Sequence, residues 1–232
     1  MSWLDQLLSG RAHKQELVAA DAALAGREIA QPLASENIVL HHPMRGTPDE
    51  NCGGVGRFDG YQAVILAGGC FWGVEEIFWQ VPGVYTTAVG YAGGYTPNPT
   101  YEEVCSARTG HTESALVVFN PAEIDLEGIL KTFWETHDPT QVMRQGNDVG
   151  TQYRSAIFTL TEADAELARG TAEKFATALA EAGLGKIATE IAPLAKAGDG
   201  HFYYAEDYHQ QYLAKNPHGY RCHAATGIHY PA

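Results

Sequence analysis

The sequence predicts an α/β (α+β) fold, a two-layer sandwich in which helices flank a central mixed β-sheet. From Tyr61 onward, runs rich in β-branched and aromatic residues alternate with amphipathic stretches of helical period. Such alternation builds layered domains in which helices cover a sheet. The 232 residues are 45% apolar and 19% charged, enough to bury one core. No internal repeat or low-complexity tract breaks the pattern.

Residues 1–58 read as an N-terminal arm. Trp3, Leu4, Leu7 and Leu8 fit one amphipathic turn, the alanine-rich stretch Glu16 to Ile29 reads as helix, and Pro43 to Gly60 is a loop punctuated by proline and glycine. A domain over residues 59–214 follows. Its first strand is expected at Tyr61–Ala67. Val74, Ile77, Phe78 and Val81 then fall at i, i+3, i+4 and i+7 of a helix that Pro82-Gly83 stops. Val84–Tyr91 is the next strand, and Thr100-x-x-Glu103 is a capping box opening a short helix at Tyr101–Cys105. After a strand at Ser114–Phe119, Leu126, Ile129, Leu130, Phe133 and Trp134 make one helical stripe. Tyr153–Leu160 reads as strand, Glu162–Ala182 as a long helix capped by Thr161 and ended at Gly183, and Lys186–Ile191 as the last strand. A ferredoxin-like core is expected within this order, with residues 215–232 forming a mobile tail.

A net charge of −13 and the lack of Lys/Arg clusters exclude binding to the phosphate backbone of nucleic acids. The first residues lack the basic and apolar regions of a secretory signal, and no stretch approaches 18 apolar residues, so a cytoplasmic, membrane-free chain is expected. The four cysteines, Cys52, Cys70, Cys105 and Cys222, are too scattered for a disulfide scaffold. In a reducing compartment such residues are catalytic, metal-binding or inert.

Cys70 is the one that stands out. It sits in Gly68-Gly69-Cys70-Phe71-Trp72-Gly73, after an apolar strand and before a helical pattern. A cysteine is ordinarily a small buried hydrophobe. At a helix start, however, unpaired N–H groups and the helix dipole lower a thiol pKa and make the sulfur nucleophilic. Glu113 entering an apolar strand, Tyr101 opening its short helix, and Asp148 with Tyr153 in Gly146-Asn147-Asp148-Val149-Gly150-Thr151-Gln152-Tyr153 are further polar groups in unusual settings.

With Gly69-Cys70-Phe71-Trp72-Gly73, Gly90-Tyr91-Ala92-Gly93-Gly94, Asn98-Pro99-Thr100-Tyr101, Gly110-His111-Thr112-Glu113, Gln145-Gly146-Asn147-Asp148, Gly150-Thr151-Gln152-Tyr153-Arg154-Ser155 and the segment Tyr203 to Leu213, the chain resembles peptide methionine sulfoxide reductases of the A type. The likeness runs from Val64 to Gly227, about three quarters of the length. It implies reduction of free and protein-bound methionine S-sulfoxide, a repair of oxidative damage. Cys70 would attack the sulfoxide sulfur, Glu113 would protonate the departing oxygen, and Tyr101 and Tyr153 would donate hydrogen bonds to it. Asp148 would orient the site, while Phe71 and Trp72 would form the apolar wall that receives the S-methyl group. The Cys70 sulfenic acid would condense with Cys222, and a thioredoxin-like partner or another thiol would reduce the disulfide. No metal or organic cofactor is called for, and the chain is expected to be a monomer. Relatives with a relay of two tail cysteines differ, because nothing after Cys222 supplies a second one. Cys105 is expected to be inert packing, and Cys52 either a bystander or an unusual second resolver.

Other readings compete. His218, Cys222, His223 and His229 cluster in the tail and would make it a zinc module, although their spacing fits no standard motif. Cys70 with His111 or His209 as base would make a cysteine hydrolase. A non-enzymatic reading takes the aromatics as a site for methionine-containing peptides.

Overall fold

The computed structural model describes residues 14–222 and 224–231. The amphipathic turn expected at Trp3 to Leu8 and the tail residue His223 lie outside them. Strands are β1 (Gln62–Ala67), β2 (Val84–Ala92), β3 (Thr112–Phe119), β4 (Arg144–Gln145), β5 (Asp148–Val149), β6 (Ala156–Thr159), β7 (Glu190–Pro193) and β8 (Tyr203–Tyr204). Helices are α1 (Phe71–Phe78), α2 (Tyr101–Cys105), α3 (Leu126–Thr136), α4 (Glu162–Glu181) and α5 (Tyr212–Lys215). Six strands form one sheet in the order β7-β6-β1-β3-β2-β8. β7 runs parallel to β6 and every other neighbouring pair is antiparallel, so the sheet is mixed.

Alternation along the strands divides the core in two. Val64, Leu66, Ala115, Val117 and Ile157 face the apolar stripes of α1, α3 and α4. Ile65, Ala67, Leu116, Val118 and Phe158 face the other way, where none of α1 to α5 contributes to the cluster. That second face is covered by Met44 and Val55 of the arm and by Leu194, Phe202 and Tyr204. A six-stranded sheet with an apolar second face needs such a cover, which is the structural use of the arm.

Glu16 to Ile29 is not a helix; only Ala20–Ala22 makes a 3-10 turn. An isolated alanine-rich segment this short is marginal as helix, and here its backbone groups find other partners. The Leu24 N–H donates to the Arg108 carbonyl and the Arg27 N–H to that of Pro97, while Asn98 Nδ2 donates back to the Arg27 carbonyl. The strand expected at Tyr153–Leu160 begins only at Ala156, because Thr151–Tyr153 coils into a 3-10 turn. Arg154, nearly fully buried, donates to the Thr151 carbonyl and pairs with Glu190, which holds that turn. Pairing with β6 starts at Glu190, so the strand expected at Lys186–Ile191 lies at Glu190–Pro193, and it is not the last, because Tyr203–Tyr204 adds β8 beside β2.

The capping box of α2 is complete: Thr100 Oγ1 accepts from the Glu103 N–H, and the Glu103 carboxylate accepts from the Thr100 N–H. Thr100→Ala is expected to cost about 1 kcal/mol of stability, as loss of such a cap does. Urea unfolding checks this, and an unchanged midpoint would contradict it.

Candidate active site

The end of β1 delivers the chain to Gly69, whose φ of +99° and closeness to Gln145 leave no room for a side chain; a Cβ would stand 2.7 Å from that of Gln145. The next residue, Cys70, caps α1. Its thiol is buried, and the N–H groups of Trp72 and Gly73 point at it and lower its pKa, as the helix start leads one to expect. Burial and the facing Glu113 outweigh them and push the thiol well above the ordinary cysteine range. The lowered pKa expected from the helix terminus is therefore corrected: desolvation dominates, and Cys70 rests as a neutral thiol.

Glu113, on β3, is fully buried. Its Oε2 accepts from the Phe71 N–H at 3.1 Å, while Oε1 is buried with no partner. Desolvation raises its pKa to about 8, with the nearby Asp148 adding to the rise and the Phe71 bond opposing it. A protonated carboxyl with one free oxygen next to Cys70 is a proton donor held in waiting.

Two tyrosines complete the polar corner. Tyr101 opens α2, its N–H donating to Glu206 Oε1 at 2.9 Å, and Tyr153 ends the 3-10 turn that Arg154 holds. Burial and then the Glu113 charge raise both hydroxyls above the ordinary tyrosine value, so both stay protonated donors. Asp148 stands on the β4–β5 ribbon opposite Gln145 and accepts from the Tyr220 hydroxyl at 3.2 Å. Its charge reaches Cys70 and Glu113.

Phe71 is more deeply buried than a substrate wall requires, its ring packed with Val89, Tyr91, Val104 and Ala205. Trp72 is the more open of the pair. Its ring stacks on Tyr212 at 3.9 Å, and its indole N–H donates to His209 Nδ1 at 3.0 Å.

Glu206, Tyr91 and Tyr212 belong to the site although sequence reasoning gave them no role, and so does His209, which it weighed only as the base of a hydrolase. Glu206 accepts from both the Tyr91 hydroxyl and the Tyr101 N–H. Because His209 Nδ1 accepts from Trp72, its Nε2 carries the proton, and that group is buried without a partner among rings of Phe71, Tyr101 and Tyr208. The available signal was the segment Glu206 to Gln211, six consecutive polar or aromatic residues of which the last three are buried.

Cys222 and Cys70 line one small cavity, together with Gly73, Val74 and His137. The Cys222 sulfur donates to the Gln145 carbonyl at 3.4 Å, and burial followed by the Asp148 charge raises its thiol to about 11. Cys105 is partly buried beside the Tyr101 hydroxyl, its thiol raised to about 11 by burial first and Glu113 second. Cys52 borders a groove with Gln62 and Ala63, at the far end of β1 from Cys70. A six-residue strand separates the two ends by about 16 Å, beyond direct disulfide reach of Cys70.

Neither of the two histidines considered for a hydrolase, His111 and His209, offers Cys70 a free base. Both ring nitrogens of His111 are taken, by the Gly94 N–H and the Thr96 carbonyl, and burial lowers the His209 pKa to about 4. The zinc reading also loses support, since His229 faces Glu135 while Cys222 faces Gln145. Among the described residues no three candidate ligands stand close enough to hold a metal.

The chain is 54% identical to the peptide methionine sulfoxide reductase MsrA 1 of Caulobacter vibrioides, over 92% of each chain. It is 49% identical to the MsrA of Brucella anthropi, over 100% of this chain, arm included, and 98% of that one. Among solved structures, methionine sulfoxide reductase A of Corynebacterium diphtheriae superimposes with a TM-score of 0.81 at 44% identity, covering 94% of this chain and all of that one. A sequence profile of peptide methionine sulfoxide reductases matches residues 62–230, from the first strand to the tail that carries Cys222. Cysteine, buried acid and paired tyrosines thus lie within the matched region, and the chain belongs to the peptide methionine sulfoxide reductase family.

Proposed function

We propose that this chain reduces the S epimer of methionine sulfoxide, free or in oxidised proteins, and that residues 59–214 carry the reduction while residues 215–232 supply the resolving thiol. The observation that carries this reading is the free, buried Oε1 of a Glu113 whose pKa of about 8 keeps it protonated at neutral pH beside Cys70. Sulfoxide oxygen is the acceptor such a group lacks. Glu113 gives its proton to that oxygen as the Cys70 sulfur attacks, and takes back the proton the thiol sheds. Oxygen passes to Cys70, leaving methionine and a sulfenic acid.

Tyr101 and Tyr153 donate to the oxygen while charge builds on it. Trp72 supplies the wall for the methyl group, and the unpartnered His209 Nε2–H suits a carbonyl of the substrate main chain. Donor corner, wall and thiol together distinguish the three substituents of a stereogenic sulfur. Cys222, sharing the cavity with Cys70, then closes the disulfide that a thioredoxin-like protein or another thiol reopens. The chemistry uses only the chain's own groups and that thiol, fits a cytoplasmic repair enzyme, and needs a single copy of the chain.

Cys222→Ser is expected to yield one methionine per chain and then stall with thioredoxin as reductant. Steady-state cycling at the wild-type rate would reassign the resolver. Offering the two sulfoxide epimers separately tests the stereochemical reading; equal rates would overturn it.

A further inference from the structure

Arg221, directly before Cys222, donates from all three nitrogens of its guanidinium. Its Nε and one terminal nitrogen donate to the two oxygens of Glu76, each at 2.6 Å. The other terminal nitrogen donates to the carbonyls of Pro217 at 2.9 Å and Gly219 at 3.3 Å. The same side chain therefore closes the loop 217–221 on itself and fastens it to α1, the helix that Cys70 caps. The ion pair is partly covered, the two side chains being 28% and 21% exposed. Beside it, the Tyr220 hydroxyl donates to Asp148 and the Cys222 sulfur rests on the Gln145 carbonyl, both on the β4–β5 ribbon. The Cys222 backbone lies against Gly73 in the first turn of α1. Cys222 is thus held between a helix and a ribbon, with its sulfur at the wall of the cavity that Cys70 shares.

We propose that the Arg221–Glu76 pair is a docking clamp that positions Cys222 for disulfide closure and leaves sulfoxide reduction to the rest of the site. The inference rests on reading Cys222 as the resolving residue. In the step it serves, the Cys222 sulfur attacks the Cys70 sulfenic sulfur, the S–O bond breaks as the S–S bond forms, and the thiol proton departs with the oxygen as water. The Cys222 sulfur is oxidised and the Cys70 sulfur reduced. Attack of this kind is intramolecular, so its rate follows the effective concentration of one sulfur at the other. Without the clamp the loop explores many positions, and closing it again costs entropy. An isolated exposed ion pair contributes little to such ordering. A partly covered, two-pronged guanidinium–carboxylate pair fixes direction as well as distance, which a lysine ammonium does not. Arg221 is in this sense a positioning residue.

The test is a single turnover of the full chain with methionine S-sulfoxide and no external reductant, reading two rates. Methionine released reports the first step; loss of free thiols and capture of sulfenic acid by dimedone report the second. Arg221→Ala is expected to release methionine at the wild-type rate but to close the disulfide about 10-fold or more slowly, with Cys70 trapped by dimedone. Arg221→Lys should remain slow, and the swap Arg221→Glu with Glu76→Arg should regain most of the closure rate lost in either single variant. Closure of Arg221→Ala at the wild-type rate would overturn the clamp. So would a swapped pair as slow as the single variants, a result that holds even where Arg221→Ala folds poorly. Cys222→Ser separates the two ideas: if it still loses two thiols per turnover, the resolver has been misassigned, whatever the clamp does.

Discussion

Replacing Cys70 by serine is expected to lower turnover by a factor on the order of 10⁴ or more, the scale on which losing a nucleophile that forms the covalent intermediate usually acts. The substitution is small: serine fits where the thiol sits, at the start of α1 and among the N–H groups of Trp72 and Gly73. A normal thermal melt should therefore accompany the lost activity. No hydroxyl can take up the sulfoxide oxygen as sulfur does, so neither the sulfenic acid nor the disulfide follows. Measurable steady-state reduction by a folded Cys70→Ser protein would move the chemistry elsewhere. The structure adds a condition on how the thiol works. Burial holds it protonated in the free enzyme, so Cys70 is expected to alkylate slowly until substrate is bound. Activation then comes with the substrate, whose oxygen takes the Glu113 proton and leaves Glu113 ready to receive that of the thiol.

The second large effect is expected at Glu113→Gln, which should slow methionine release by about 10²-fold or more, as loss of a general acid does. Gln keeps the bond from the Phe71 N–H to its carbonyl oxygen, so the wall of the pocket stays in place while the transferable proton is removed. The pH dependence has a definite sign. The working form of Glu113 is the protonated one, so the wild-type first step should fall as pH rises through about 8, and the Gln variant should not share that fall. Stability points the same way. The folded-state pKa of Glu113 lies above its unfolded value near 4.5, so its contribution is fully present below about 4.5 and is lost as pH rises through about 8. Glu113→Gln should therefore raise the melting temperature relative to wild type more at pH 9 than at pH 4. A Gln variant of wild-type rate, or a first step that speeds up above pH 8, would remove the assigned role.

Much of the fold was legible because hydrophobic period and capping agree locally. α3 and α4 fall where their stripes and stops lie, α1 ends at Phe78, short of Val81 and the Pro82-Gly83 stop, and β1, β2 and β3 match their β-branched runs closely. What escaped has a common physical cause, which is that tertiary partners replaced local ones. The alanine-rich stretch near Ala20 gave up its helix for backbone bonds to Pro97 and Arg108. Tyr153 left the strand pattern because Arg154 stabilises a turn. The β4–β5 ribbon, two residues a side, is too short to carry any period.

The site divides similarly. Cys70, Glu113, Tyr101, Tyr153, Asp148 and Cys222 were nameable from motifs, and the structure gathers them around one corner. The protonation state of Cys70 was not legible, because a helix start is visible in sequence whereas the depth of burial is set by the whole fold. Glu206, and the part that His209 plays beside Trp72, escaped for the same reason. Each matters through a partner more than a hundred positions away, Trp72 for His209 and Tyr101 for Glu206. The arm hid its contribution too. Asn37 is fully buried and donates to Thr87, whose hydroxyl donates to Glu75; Glu75 in turn accepts twice from Gln211, two residues beyond His209.

The most direct test adds one equivalent of methionine S-sulfoxide to the reduced protein without external thiol, then maps the non-reduced peptides by mass spectrometry. The expected result is one methionine released per chain and a single linked pair, Cys70 with Cys222, leaving Cys52 and Cys105 free. Methionine released while Cys70 remains an unmodified thiol would contradict the account.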